Sequence, residues 1–189
     1  MSNSSNNLTN TLYGPVDEKI LVKAKKIKLL VCDVDGVFSD GRIYLGNNGE
    51  ELKAFHTKDG FGIKALSNSG VDVAIITGRR SAIVANRMAA LNVKHIIQGE
   101  ENKLPALLSL AEKLSINLYE IAYIGDDMPD LPCILEVGLG IAVKDAHPMV
   151  LAKADYTTFT LGGFGAIREV CDLIMQNQNS LDSATGASI

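Results

Sequence analysis

Asp33-Val34-Asp35-Gly36 follows directly on the apolar run Ile27 to Cys32. Two acids at i and i+2 on an extended chain point to the same side. Acids are rare at the end of a buried strand, because an unpaired carboxylate there is costly. Where a strand leaves its sheet, such a pair concentrates negative charge at the mouth of a crevice. A hard divalent cation such as Mg²⁺ is the natural partner for those oxygens. The same residues also suit an ordinary Asp-Gly turn, so the rest of the chain must decide between the two.

Three further polar signals fall at the ends of successive apolar runs. Thr77-Gly78-Arg79 follows Val71 to Ile76. A hydroxyl and free backbone N–H groups at a strand-to-helix junction suit a phosphate, and they equally suit plain helix capping with Ser81. Lys103 follows Gly99-Glu100-Glu101-Asn102, in the first turn of a helix, where the dipole disfavours a cation. It either serves something beyond the helix or is a solvated surface lysine. Gly125-Asp126-Asp127-Met128-Pro129-Asp130 follows Ile121 to Ile124. One of its acids could cap the next helix, but a cap needs one acid and the segment carries three.

The elements that must position these groups alternate. Strands are expected at 27–33, 71–76, 94–97, 120–124, 138–142 and 155–158, and helices at 16–25, 60–69, 81–91, 101–114, 128–136 and 164–175. That rhythm predicts βαβ units in an α/β, three-layer, doubly wound and mainly parallel sheet. Ligands of such sheets bind outside the carboxyl ends of the strands, where all four signals lie. One insertion interrupts the pattern. The segments 42–45 and 51–55 flank Gly46-Asn47-Asn48-Gly49 and read as a β-hairpin. The chain divides into a polar segment at 1–12, one domain at 13–176 and a polar tail at 177–189. Both polar ends are expected to be poorly ordered alone. Gly162-Gly163-Phe164-Gly165 reads as a turn entering the last helix.

Composition excludes other classes. The 189 residues carry a net charge of −4, which offers no general attraction to nucleic acid. Cys32, Cys133 and Cys171 are odd in number and widely spaced, as core residues of a reducing compartment are. No apolar stretch approaches a membrane span. The first ten residues lack the charged and apolar regions of a signal peptide, so a cytoplasmic location is expected.

In order and joint placement the four motifs resemble those of the haloacid dehalogenase superfamily of phosphatases, over about residues 27–170. The resemblance implies that Asp33 is the nucleophile and forms an aspartyl-phosphate. Asp35 would protonate the leaving oxygen and then activate water. Asp33, the backbone carbonyl of Asp35 and Asp126 would hold Mg²⁺, with Asp127 or Asp130 orienting that shell. Thr77 and Gly78 would bind phosphate oxygens, and Lys103 would neutralise charge on phosphate and nucleophile. A phospho-receiver domain, the competing reading from another class, would carry its acceptor Asp on a middle strand and its Lys after the last strands.

The intervals between Asp33, Thr77 and Lys103 leave no room for a cap domain. The finer pattern resembles the capless subfamily that includes 3-deoxy-D-manno-octulosonate 8-phosphate phosphatase. The matching stretches are 35–41, 55–62, 77–81, 124–127 and 162–169, Gly36 included. This resemblance implies a homotetramer whose hairpins form a central barrel and whose neighbouring subunit completes each site. The implied substrate is a phosphorylated sugar acid. Arg79 and Arg87 are candidates for its carboxylate, since arginine binds carboxylates through two parallel hydrogen bonds. Lys58 and Asp59 either contact substrate or cap a helix starting at Gly60. Relatives acting on nine-carbon, sialic-type 9-phosphates carry Glu after the Thr-Gly pair, so Arg79 favours the eight-carbon acid.

Overall fold

The structure, a computed structural model, describes residues 7–184. Half of the 1–12 segment (residues 1–6) and the last five residues of the 177–189 tail lie outside that range. The described chain opens with an antiparallel ribbon, β1 (Leu8–Asn10) on β2 (Pro15–Asp17), which no pattern in the sequence announces. Helix α1 (Glu18–Ala24) follows, with Asp17 accepting from the Lys19 N–H at its start. Next come β3 (Leu29–Cys32), the hairpin β4 (Tyr44–Leu45) and β5 (Glu51–Leu52), and α2 (Thr57–Asn68). Then β6 (Asp72–Thr77), α3 (Ala82–Ala90), β7 (His95–Gln98) and α4 (Lys103–Leu114) alternate. Beyond them lie β8 (Ile121–Gly125), α5 (Leu131–Glu136), β9 (Leu139–Ala142), α6 (Pro148–Leu151), β10 (Tyr156–Thr157) and α7 (Ala166–Asn177).

The main sheet has six strands in the order β10-β9-β8-β3-β6-β7, every neighbouring pair parallel. β3 is buried along its whole length, as a strand covered by helices on both faces must be. Helices α2 and α7 pack together on one face, with α1 against α7, while α4 and α5 pack on the other. Helix α4 shows why its sequence folds this way. Leu107, Leu110 and Ala111 are buried and Leu104 and Leu114 half-buried, a single apolar stripe at helical spacing. Ser115 ends the helix in the left-handed conformation, φ 54°.

Helix α2 begins at Thr57, three residues before the expected start, because His56 caps it. Its Nδ1 accepts from the Lys58 N–H at 3.1 Å. The turn before α7 is pinned from inside by Glu169. This wholly buried carboxylate accepts from the Tyr156 hydroxyl, the Thr160 hydroxyl and the N–H groups of Phe159 and Thr160. Gly165, φ 110°, starts the helix itself. Beyond α7, Leu181 and Ala184 pack on the core, so this part of the tail is held by burial.

Asp59 corrects one expectation. It is not a surface cap or a pocket residue but a buried carboxylate between α2 and α7, accepting from the Arg168 N–H at 2.8 Å. Burial pushes its carboxyl up to about 7, against the downward pull of that N–H and the Arg168 charge. A raised acid binds a proton in the folded state that the unfolded chain has already lost. Its stability contribution is therefore complete below about pH 4, the unfolded value, and is lost as pH rises toward 7. Asp59→Asn keeps an acceptor oxygen and removes the ionisation. We expect it to raise Tm by several degrees at pH 8, on the order of 1–3 kcal/mol, and by much less at pH 5. Thermal melts at the two pH values check this; an equal change at both refutes it.

Candidate active site

Strand β3 has β6 on one side and β8 on the other. The chain runs outward through β6 and β7, then returns to build β8, β9 and β10 on the opposite side. The order in which strands are added therefore reverses between β3 and β8, which leaves a crevice at their carboxyl ends. Asp33 follows β3 and donates its N–H to Ile124 O, and Asp126 follows β8. The register Cys32↔Ile124 sets the two acids side by side. Gly36, φ 89°, lies so close to the Asp126 carboxylate that a side chain there would collide with it.

A pocket opens over these strand ends. It is lined by Asp33, Asp35, Thr77, Gly78, Arg79, Glu101, Lys103, Asp126, Asp127, Pro129 and Asp130, with a volume of about 340 Å³. All four sequence motifs thus meet in one place. Lys103 is buried, and its ammonium lies 2.9 Å from Asp33 Oδ1 and 2.7 Å from Asp130 Oδ1. Burial works against that charge, but Asp33 and Asp130 outweigh it and raise the lysine above its ordinary range. The disfavoured place at the helix start is thereby explained: the lysine serves the two carboxylates.

Asp130 is saturated. Its Oδ1 accepts from Lys103 Nζ and from the Tyr123 hydroxyl at 2.8 Å, and its Oδ2 from the N–H groups of Asp126 and Asp127 at 3.1 and 3.3 Å. It holds the Asp126–Asp127 backbone rather than facing a ligand. Asp127 is exposed, and its carboxylate accepts from the Met128 N–H at 2.8 Å. Of these two acids only Asp130 ties the site together through its side chain.

Carboxylate oxygens of Asp33, Asp126 and Asp130 lie within 4.8 Å of one another. Burial first and the neighbouring acids second push Asp33 up to about 6 and Asp126 up to about 8. Crowded carboxylates that hold protons so firmly are short of positive charge despite Lys103. Since Asp130 is committed elsewhere, Asp33 and Asp126 are the side chains free to supply hard oxygens to a divalent cation. The donor set fits Mg²⁺.

Four sequence-selected residues do not line this pocket. Gly36 lies against the Asp126 carboxylate instead. Asp59 is buried between α2 and α7, as described. Lys58 is exposed on the first turn of α2. Arg87 on α3 places its guanidinium against Gly60, where any side chain would meet it. Two contributors carry no signal in the sequence. Glu101 lines the rim, and Lys53, on the outgoing arm of the hairpin, pairs with Asp35. Nothing local marks Lys53, because its partner is set by how the hairpin folds back.

Against known proteins, residues 94–161 match haloacid dehalogenase-like hydrolases. Over 179 residues the chain is 53% identical to the 3-deoxy-D-manno-octulosonate 8-phosphate phosphatase KdsC of Salmonella typhi, covering 95% of each. The chain belongs to the 3-deoxy-D-manno-octulosonate 8-phosphate phosphatase family. The crystal structure of that phosphatase from Yersinia pestis superposes with a TM-score of 0.96 at 51% identity, over 98% of this chain and 100% of that one. The Moraxella catarrhalis phosphatase, solved with a magnesium ion, a phosphate ion and a KDO molecule, superposes with a TM-score of 0.87. It is 50% identical, over 88% of this chain and 95% of that one. Membership in this phosphatase family agrees with the six-stranded sheet, and the described residues form no separate cap domain over the pocket. No described helix is long and apolar enough to cross a membrane.

Proposed function

We propose that the chain is a Mg²⁺-dependent phosphomonoester hydrolase that acts through an aspartyl-phosphate on Asp33. Its substrate is 3-deoxy-D-manno-octulosonate 8-phosphate, in lipopolysaccharide precursor synthesis in the cytoplasm. The observation that carries this reading is Asp33 itself: a buried carboxylate lining the pocket, paired with Lys103, in a pocket that Asp35 also lines.

Asp33, the backbone carbonyl of Asp35 and Asp126 would hold Mg²⁺. When bound, the ion neutralises phosphate charge and screens the nucleophile from it. The chain supplies the rest. An Asp33 oxygen attacks phosphorus, the bond from phosphorus to the sugar oxygen breaks, and its electron pair leaves with that oxygen. Asp35 gives the departing oxygen a proton, then takes one from the water that attacks the aspartyl-phosphate. Phosphate departs and the Asp33 carboxylate is restored. Thr77 and Gly78 hold phosphate oxygens, and Lys103 offsets charge that builds between nucleophile and phosphoryl group.

Substrate reading and assembly belong to the same proposal. Arg79 lines the pocket and suits a sugar carboxylate. On the hairpin strands, Tyr44, Leu45 and Leu52 are 51%, 75% and 65% exposed, apolar surface that assembly of a homotetramer would bury. A neighbouring subunit would then cover the otherwise open pocket. Nucleic acid and membrane have no part in this reading.

Phosphate release across phosphorylated sugar acids and simple sugar phosphates tests it. Chelation of divalent metal should lower the rate by about 10³-fold, with recovery on adding Mg²⁺. The eight-carbon acid should exceed the nine-carbon 9-phosphate and glucose 6-phosphate in kcat/KM by at least about tenfold. Equal rates on every substrate would refute the substrate assignment, and a rate indifferent to chelation would refute the metal.

A further inference from the structure

Lysine is rarely buried without a strong reason, yet the Lys53 side chain is fully enclosed. Its ammonium contacts Asp35 Oδ1 and lies 3.6 Å from Glu51 Oε1, a buried oxygen with no hydrogen bond of its own. The other oxygen of Asp35, Oδ2, sits 3.9 Å from Arg79 Nε at the pocket wall. The two oxygens of Asp35 are therefore unlike. One is engaged by the hairpin and the other faces the residues that line the pocket.

We propose that Lys53 is a positioning residue that commits Asp35 Oδ1 to the hairpin and leaves Oδ2 as the oxygen that exchanges the proton. The proposal rests on the reading of Asp35 as the acid that serves the leaving group. Protonated at Oδ2, the carboxyl still accepts from the ammonium at Oδ1, so this arrangement suits both protonation states of the cycle. Without Lys53 the carboxylate is free to rotate toward Arg79, and the oxygen facing the leaving group is no longer defined. Glu51, two residues earlier on the same arm, keeps the ammonium from following a rotated Asp35.

A residue acting only through the acid should matter in proportion to the leaving group's need for a proton. Lys53→Met should lower kcat/KM on 3-deoxy-D-manno-octulosonate 8-phosphate, an alkyl ester, by about 10- to 100-fold, a part of the usual worth of a general acid. On p-nitrophenyl phosphate, whose leaving group departs without a proton, the loss of kcat/KM should stay under about threefold. The later attack of water, in which Asp35 is the base for both esters, does not enter kcat/KM, and Lys53→Arg should recover most of the loss. Lys53→Gln carries the same test if the methionine variant does not fold, and thermal melts check each protein.

Asp35→Asn, measured beside them, separates the two ideas. If it discriminates between alkyl and aryl esters and the Lys53 variants do so in the same direction, the proposal stands. If Asp35→Asn discriminates in kcat/KM but the Lys53 variants lose kcat/KM on both esters equally, Lys53 is structural and the proposal falls. If Asp35→Asn itself shows no discrimination, the acid role of Asp35 falls and takes the proposal with it.

Discussion

Asp33→Asn should lower kcat by at least about 10⁴-fold while leaving the fold intact. The substitution preserves shape and removes the oxygen nucleophile, and no nearby acid can replace it. Asp130 is locked by four donors, Asp126 stands on the neighbouring strand end, and Asp35 is held by Lys53. The stability argument points the other way from the activity argument. Burial already holds the Asp33 carboxyl up to about 6, so ionising it at pH 8 costs the folded state free energy that Asn avoids. Lys103 keeps its pairing with Asp130. In Mg²⁺-free buffer at pH 8, Tm should therefore hold or rise. Phosphate release and a thermal melt on one preparation check both halves. Residual activity above about 1% would remove Asp33 from the nucleophile's place.

Asp33 is legible in the sequence because it follows an apolar run. Acids tolerated at the end of a doubly buried strand must be matched by something, and the same logic selects Asp126. Lys103 is legible through a violated preference, since a cation at a helix start needs an anion nearby. These signals are local, and the parallel sheet turns local strand ends into one site without further instruction. Residues are not legible where the partner comes from an element with no fixed sequence offset. Lys53 meets Asp35 only because the hairpin folds back on the loop after β3. Asp59 meets the start of α7, far along the chain. From the sequence it looks like any acid in the first turn of a helix.

The short N-terminal ribbon is hidden for a different reason. Three-residue strands containing Asn10 and Pro15 carry no alternation to read, and Pro15 sits at an edge where its missing N–H costs nothing. The distinction between Asp127 and Asp130 is likewise beyond the sequence. Both are acids of one loop, and either could serve the site. Only backbone geometry decides which one turns inward, and here Asp130 is enclosed while Asp127 faces out.

That distinction yields the second large effect. Asp130→Asn should lower Tm by about 6–20 °C, which corresponds to about 3–5 kcal/mol in a chain of this size. An amide cannot replace this carboxylate. With its oxygen toward Lys103 and Tyr123, its NH₂ opposes the N–H groups of Asp126 and Asp127; turned over, it opposes the ammonium and the hydroxyl instead. Either way two enclosed donors lose their acceptor and meet another donor. The damage reaches the chemistry through the same bonds. The Asp126 backbone loosens, and Mg²⁺ affinity should fall about 10- to 100-fold, as when a group orienting a metal ligand is lost. Asp127→Asn is the matched control. Its exposed carboxylate accepts, among the described residues, from the adjacent Met128 N–H, so its Tm should move by no more than about 1–2 °C. Melts of the two variants, with Mg²⁺ titrations of activity, decide the matter. Equal behaviour of Asp130→Asn and Asp127→Asn would show that the enclosed network does not hold the site together.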